Sequence, residues 1–225
     1  MRPLLLAALV SASLLVGAGT SLARFTSTQS SVGNTLATGN WVYYLHNNPT
    51  PPTGDTTAQF NLTATTAAST QATLYDYDTN CDNRTGRQLA RVSPTPGQAT
   101  TCNYANWRMP ALGADLTLKG TVTADVWSAI DAGSPGSTGS LIAYLRDYDP
   151  ATGTYVEIAS GTYTGIYAAS RTFYERPISV AIGGQYVLAA GHRLELKLEA
   201  PSATAQRDMM VAYDATAYPS ALRLR

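Results

Sequence analysis

The sequence carries little charge and almost no lysine. Charged residues make up 13% of the 225 residues, and 15 Lys and Arg balance 15 Asp and Glu. Lys119 and Lys197 are the only lysines. Binding to nucleic acid or to an acidic membrane surface needs a basic field, so neither partner is predicted. The apolar content of 44% argues against a disordered chain.

Residues of the common catalytic motifs are scarce. There are two histidines: His46 precedes Asn-Asn-Pro, and His192 follows a glycine. Both positions are typical of loops and turns. The chain contains neither a G-x-S-x-G elbow nor an H-E-x-x-H motif. A Ser-His-Asp triad depends on geometry rather than on sequence order and stays open. We expect the chain not to be an enzyme, with no catalytic residues.

Long apolar runs are confined to the N-terminus. Arg2 precedes the apolar run Leu4–Val16, and Ser21-Leu22-Ala23 places small residues before a cleavage site. The run is shorter than the roughly 20 residues that cross a bilayer. We therefore expect residues 1–23 to be a secretory signal peptide. The rest of the chain is then secreted, to the extracellular space or the cell surface, with no membrane partner.

Cysteine is represented by Cys81 and Cys102 alone, both in a turn-rich stretch. In an oxidising compartment, such a pair predicts one disulfide. A bridge closing a loop of this size contributes roughly 3 kcal/mol in the chain-entropy model. The alternative, half of a metal site, lacks neighbouring His or further Cys residues.

The clearest pattern that is present is an alternation of apolar and polar residues. It runs through Leu116–Val126 and through Leu194–Ala200, and it is typical of strands with one face on a core. Gly and Pro clusters, among them Gly183-Gly184, separate weaker strand candidates. These candidates are Trp41–Leu45, Thr57–Thr65, Ala72–Tyr77, Leu141–Asp147, Thr154–Ala159, Thr172–Val180, Tyr186–Leu188 and Met209–Tyr213.

Eight to eleven such strands predict an all-β fold, a two-sheet antiparallel sandwich of the jelly-roll kind. We expect residues 41–225 to form a single β-sandwich domain. Residues 24–40 differ, being rich in Ser, Thr and Gly. They form either a flexible tail or an extended N-terminal strand arm that adds to another subunit. The candidate anchors of this arm are Phe25, Val32 and Leu36.

Alternating oxygen ligands occur in the stretch from Asp76 to Asp82. Hard oxygen donors at every second position can surround calcium, as in the first half of an EF-hand loop. Cys81 stands in place of the loop glycine, however, and Arg87 in place of the bidentate glutamate. An acidic turn is the alternative, and no other cofactor is expected. The candidate calcium ligands are Asp76, Asp78, Asn80 and Asp82.

Two sequons, beginning at Asn61 and Asn83, are possible N-glycosylation sites. The 14 tyrosines and 3 tryptophans could provide stacking faces for sugars or simply pack in the core. In the sugar-binding interpretation, Trp107 is the exposed aromatic, whereas Trp127 is expected at a sheet edge or end.

The N-terminal residues resemble those of TasA/camelysin-type biofilm matrix proteins. The resemblance lies in Gly19-Thr20, Ala23, Phe25 and the run from Gly33 to Gly39, with Leu36 where that family usually has Phe. The body resembles an exported bacterial jelly-roll module similar to the C-terminal domain of Xaa-Pro peptidase-like hydrolases. That likeness rests on the stretches from Tyr43, from Leu74 and from Ala212 to Ser220.

The first resemblance implies a filament subunit. TasA-type proteins and related archaeal bundling pili join jelly-roll subunits end to end, each N-terminal strand completing the sheet of the next molecule. The chain is accordingly expected to be a structural subunit of an extracellular filament or biofilm matrix fibre. It would polymerise with copies of itself by donor-strand complementation. The alternative is a monomeric cell-surface carbohydrate-binding or adhesion module, for which the partner is an extracellular polysaccharide.

Overall fold

A computed structural model describes residues 41–47, 60–78, 87–90, 103–131, 135–201 and 208–225. All of them belong to a single compact unit. Twelve strands are formed within these ranges: β1 Trp41–His46, β2 Phe60–Thr63, β3 Thr73–Asp76, β4 Arg87–Ala90, β5 Tyr104–Arg108, β6 Leu116–Ile130, β7 Ser137–Asp149, β8 Thr154–Tyr167, β9 Tyr174–Leu188, β10 Arg193–Glu199, β11 Met209–Tyr213 and β12 Ala221–Leu224.

The predicted all-β, antiparallel character is confirmed. The strands follow the order β4-β3-β11-β6-β12-β1-β2-β5-β10-β7-β8, and β9 pairs with β6 off this path. Each pair is antiparallel except β2 with β5, in which Phe60 lies opposite Trp107. Hydrogen bonding links these strands into one continuous sheet, so the division into two sheets stays a prediction. None of the described residues forms a helix able to span a membrane.

The alternating segments form strands where the pattern predicted them. In β6, Leu118, Val122, Ala124 and Val126 are buried, while Lys119, Thr121, Thr123 and Asp125 are exposed or half-buried. In β10, Leu194, Leu196 and Leu198 face the core. The period of two places every second side chain on one face, which explains why both strands were recognisable.

One hydrophobic core collects side chains from both ends of the strand order. Tyr75 and Val211 lie on the β3 and β11 side, and Leu145 and Leu196 lie on the β7 and β10 side. Trp107 is fully buried in this core, with its ring 5.1 Å from Phe60 and 5.3 Å from Tyr213. The expectation that Trp107 is an exposed sugar-binding aromatic is therefore wrong.

The glycine pair at Gly183-Gly184 does not end a strand. Strand β9 is continuous from Tyr174 to Leu188, so the two predicted strands on either side are one. The register with β6 steps from Lys119↔Gln185 to Gly120↔Ile182, so both glycines are accommodated in a bulge. Gly184 has φ +105, a conformation that glycine adopts without steric cost. The prediction that this glycine pair separates two strands is therefore wrong: the glycines form a bulge within one strand.

Candidate strand-acceptor groove

Among the described strands, none pairs with one edge of β6 along its N-terminal half. β9 pairs with β6 from Leu116 to Ser128. On the opposite edge, β12 pairs with Thr123–Asp125 and β11 with residues from Trp127 onward. In the part of the chain that the structure describes, no strand pairs with this second edge between Leu116 and Val122. The backbone N–H and C=O groups there offer a site for strand addition.

Among the described strands, β12 covers this edge only from Thr123 to Asp125. The β12 ladder matches Arg223 with Thr123, so Leu224 comes level with Val122. On its other side, β12 pairs with β1, which begins with Trp41 opposite Leu224. β1, which directly follows residues 24–40 in the sequence, thus begins at the end of the sheet where no described strand pairs with this edge of β6.

A surface groove lies at this place. Its floor is apolar: Leu118, Val122 and Leu224 are all less than 5% exposed. Trp41 stands at the rim, 39% exposed, with its ring stacked on Tyr43 at 6.4 Å. The complete lining is Trp41, Thr117, Leu118, Lys119, Val122, Leu224 and Arg225. An extended segment with apolar side chains would therefore contact both backbone and core here.

Gly120 leaves space in the open edge. It lies opposite the bulge of β9 with φ +75, and a Cβ at this position would meet no atom within 4 Å. The floor residues on either side, Leu118 and Val122, are four positions apart. Val32 and Leu36 of the arm have the same spacing, so both can face the same side of an extended strand.

His46 joins three segments of the chain. Its Nδ1 lies 2.7 Å from Oδ1 of Asp214, and its Nε2 lies 2.7 Å from the backbone oxygen of Thr65. Both partners are acceptors, so the geometry suits the doubly protonated ring. The hydrogen bond to Asp214 is the main cause that raises the pKa of His46. With both nitrogens hydrogen-bonded to acceptors within the fold, this ring connects segments of the chain and leaves no nitrogen to accept a proton from a substrate.

His192 forms a second pair, with Asp147. Its Nδ1 lies 2.8 Å from Oδ1 of Asp147, and the Tyr186 hydroxyl donates to Oδ2 at 3.0 Å. Partial burial, followed by this hydrogen bond, raises the pKa of Tyr186 to about 12. A carboxylate-oriented imidazole can serve as a general base. Among the described residues, however, no Ser, Thr or Cys side chain is hydrogen-bonded to His192. The expectation that the chain is not an enzyme stays a prediction.

The calcium candidates are only partly covered. Asp76 ends β3 and Asp78 follows it; both are almost fully buried and both interact with other groups. Asn80 and Asp82 lie outside the described residues. In the described ranges, no group of three or more His, Cys, Asp or Glu is placed to hold a metal ion. Calcium binding stays untested.

Several predicted residues also fall outside the described ranges. These are the anchors Phe25, Val32 and Leu36, both cysteines of the predicted disulfide, and Asn83. The other sequon residue, Asn61, lies in β2, where its Nδ2 is 3.4 Å from the backbone oxygen of Asn47. Trp127 is half-buried near the C-terminal end of β6, with its ring 5.4 Å from that of Tyr218.

Sequence reasoning missed the groove and both histidine pairs. The groove combines residues from β1, β6 and β12, and β12 itself was not recognised as a strand. His46 and Asp214 are brought together only by the pairing of distant strands. No local signal marked this edge, because it depends on how β6 pairs with strands that are distant in the sequence.

No family model and no curated protein matches this chain. Solved structures share its fold. An aminopeptidase from the marine sediment archaeon Thaumarchaeota archaeon superimposes with a TM-score of 0.59 at 12% identity, covering 85% of this chain and 37% of that one. A CocE/NonD family hydrolase from Staphylococcus aureus gives 0.55 at 12% identity, covering 83% and 36%.

An α-amino acid ester hydrolase is similar to the same degree, with a TM-score of 0.56, 12% identity and coverage of 82% and 36%. The chain thus spans little more than a third of each of these structures. At 12% identity, this similarity is evidence of a shared fold alone. One of the three proteins is an aminopeptidase and two are hydrolases; none is a matrix or pilus protein.

Proposed function

We propose that this chain is a structural subunit of an extracellular filament or matrix fibre, and that subunits join head to tail by strand addition. The observation that carries the proposal is the open edge of β6 between Leu116 and Val122, which lies above an apolar groove. The donor is the arm, residues 24–40, of a neighbouring subunit. One arm and one groove per subunit make a contact that repeats without closing, which generates a fibre.

The physical basis is that a donor strand would both hydrogen-bond the backbone of β6 and bury apolar side chains. A donor strand supplies partners for the unpaired N–H and C=O groups of β6. Its anchors would cover the floor formed by Leu118, Val122 and Leu224. The small Ser, Thr and Gly residues between the anchors let the two backbones approach to the spacing of paired strands.

The edge of β8 fits a donor less well. β8 pairs only with β7 among the described strands, and it exposes Val156 and Ile166. Its side chains are exposed or half-buried along nearly the whole strand, so an added strand would find no apolar floor. The edge of β6 offers both an unpaired backbone and buried apolar side chains, which favours it as the acceptor.

Electron microscopy of three forms of the chain tests the proposal. The form beginning at Arg24 is expected to give regular fibres at high concentration, and the form beginning at Trp41 to give dispersed particles. A third form keeps the arm but carries Phe25→Ser, Val32→Ser and Leu36→Ser, and it is expected to lose fibres as well. Because this form keeps the full length of the arm, a loss of fibres would show that the apolar anchors are needed, and not only the presence of the arm.

Fibres from the chain beginning at Trp41 would overturn the proposal. Dispersed particles from all three forms would also count against it and would direct attention to a monomeric binding module on the cell surface. In that case, retention on polysaccharide would be the next property to measure.

A further inference from the structure

Arg193 is a buried cation without a partner. It is 7% exposed, and its Nε and Nη1 atoms form no hydrogen bond. Among the described carboxylates, none lies within ion-pair distance of its guanidinium. Buried charges in proteins are normally paired and hydrogen-bonded, because desolvation of an unpaired charge is costly. A bound anion would supply the missing hydrogen-bond acceptors and neutralise the Arg193 charge.

The neighbouring charges increase the excess of positive charge. Glu195, two residues further along β10, is fully buried and contacts the Nε atom of Arg108. Its other oxygen lies 3.2 Å from Nη1 of Arg146. One carboxylate is thus shared by two guanidiniums, while Arg193 is a third cation beside them. The Nε atom of Arg146 is also buried without a hydrogen-bond partner.

The strand registers place these groups on one face. Arg193 lies opposite Tyr148 of β7, and Glu195 lies opposite both Arg146 of β7 and Arg108 of β5. Side chains two positions apart on a strand point to the same side, so Arg193 and Arg146 are diagonal neighbours on the face opposite the core. Their unpartnered N–H groups are therefore held on adjacent strands of one surface.

Aromatic rings enclose the cluster. The Arg108 guanidinium lies 3.6 Å from the centroid of the Tyr148 ring. Because β5 and β7 flank β10, this contact lies across β10, beside Arg193 and Glu195. On the outer side, Arg146 lies 4.2 Å from the ring of Tyr155, which is 56% exposed. The rings stabilise the cations through their faces but accept no N–H hydrogen bond of the ordinary kind.

We propose that Arg193 and Arg146 together bind an oxyanion, a carboxylate or a sulfate group. A guanidinium presents its N–H groups as a planar fork that matches such an anion, and one negative charge would offset part of the local excess. The anion is either free in solution or carried by an acidic polysaccharide. This site is independent of the groove beside β6 and of filament assembly.

Titration calorimetry on the purified chain tests the proposal with three ligands at constant ionic strength. The ligands are sodium sulfate, an oligogalacturonate and a neutral dextran of similar length. The oxyanion ligands are expected to bind, and the dextran is not. Binding of both acidic ligands indicates a site for any oxyanion, whereas binding of the oligogalacturonate alone indicates a polymer site.

Variants assign the binding to the proposed residues. Arg193→Gln is expected to weaken binding roughly ten- to a hundredfold, as befits the loss of charge-assisted hydrogen bonds. Arg193→Lys, which keeps the charge and loses the fork, is expected to lose about tenfold and carries the test if the glutamine variant fails to fold. The matched control is Arg171→Gln, because Arg171 is an exposed arginine paired with Asp131; it is expected to bind as the parent chain does.

Two results would overturn the proposal. One is the absence of binding heat with both oxyanion ligands, the sulfate and the oligogalacturonate. The other is an equal loss of binding in the Arg171→Gln and Arg193→Gln variants, since that would reveal a general attraction of anions to the surface.

Discussion

His46 makes stability depend on pH. Its hydrogen bonds to Asp214 and Thr65 favour the protonated ring, so its pKa is higher in the folded chain than in the unfolded one. The stability it contributes is fully present below the unfolded pKa of about 6.5. It is lost as the pH rises through the folded pKa.

Urea unfolding of the parent chain and of a His46→Gln variant, at a series of pH values from 5 to 9, measures this effect. The parent chain is expected to exceed the variant by about 1–3 kcal/mol at the acidic end. The difference should shrink as the pH rises above about 6.5. A difference that grew with pH would contradict this role of His46.

Gly161 allows two strands to approach each other. It lies in β8, and a Cβ at this position would clash with the backbone oxygen of Ser179 in β9. Backbone cannot move aside as a flexible side chain can. Gly161→Ala is therefore expected to reduce the free energy of unfolding by about 1–3 kcal/mol.

Gly183→Ala is the matched control for this variant. Gly183 is also a strand glycine, but a Cβ there meets nothing within 4 Å and its φ is not positive. Its effect on the free energy of unfolding should stay within about 0.5 kcal/mol. Equal effects of the two substitutions, measured by urea unfolding, would show that steric approach at Gly161 is not what matters.

At the scale of the element, β10 carries its polar groups in two different environments. Glu195 is fully buried between two guanidiniums, whereas the Glu199 side chain is 20% exposed and pairs with Lys197. Glu195→Gln removes the only carboxylate from the buried group and is expected to cost about 3–5 kcal/mol. Glu199→Gln on the same strand is expected to cost less than about 1 kcal/mol.

Thermal and urea unfolding of both glutamate variants compares these two environments directly. If both variants lost a similarly small free energy of unfolding, the buried Glu195 would stabilise the fold no more than the partly exposed Glu199 does. The expected large difference would instead show that the arginines of this face depend on it.

Strands differ in how well the sequence predicts them, because some carry a local alternation of apolar and polar residues and others are defined only by pairing with distant strands. β11 was predicted with its observed bounds, Met209–Tyr213, and β6 and β10 were predicted from their alternation. β12 has only the four residues Ala221–Leu224, too few to display a period. It is a strand because β1 and β6 pair with it from distant parts of the sequence. Such pairing leaves no mark in the local pattern.

The same reasoning applies to the candidate site on the scale of the whole molecule. The arm was predicted from its composition, which is a local property. The acceptor was not, because the groove combines residues of β1, β6 and β12, which only strand pairing brings together. The all-β class could be predicted because every strand contributes to it, whereas a groove depends on a few non-local registers.

Amide hydrogen exchange across β6 tests the central claim most directly. In the chain beginning at Trp41, the amides between Leu116 and Val122 that face the open edge should exchange fast, while those bonded to β9 stay protected. Adding a peptide of residues 24–40 should slow the fast set alone and leave β10 unchanged. Unchanged exchange along β6 at saturating peptide would contradict the claim that this edge accepts the arm of a neighbouring subunit.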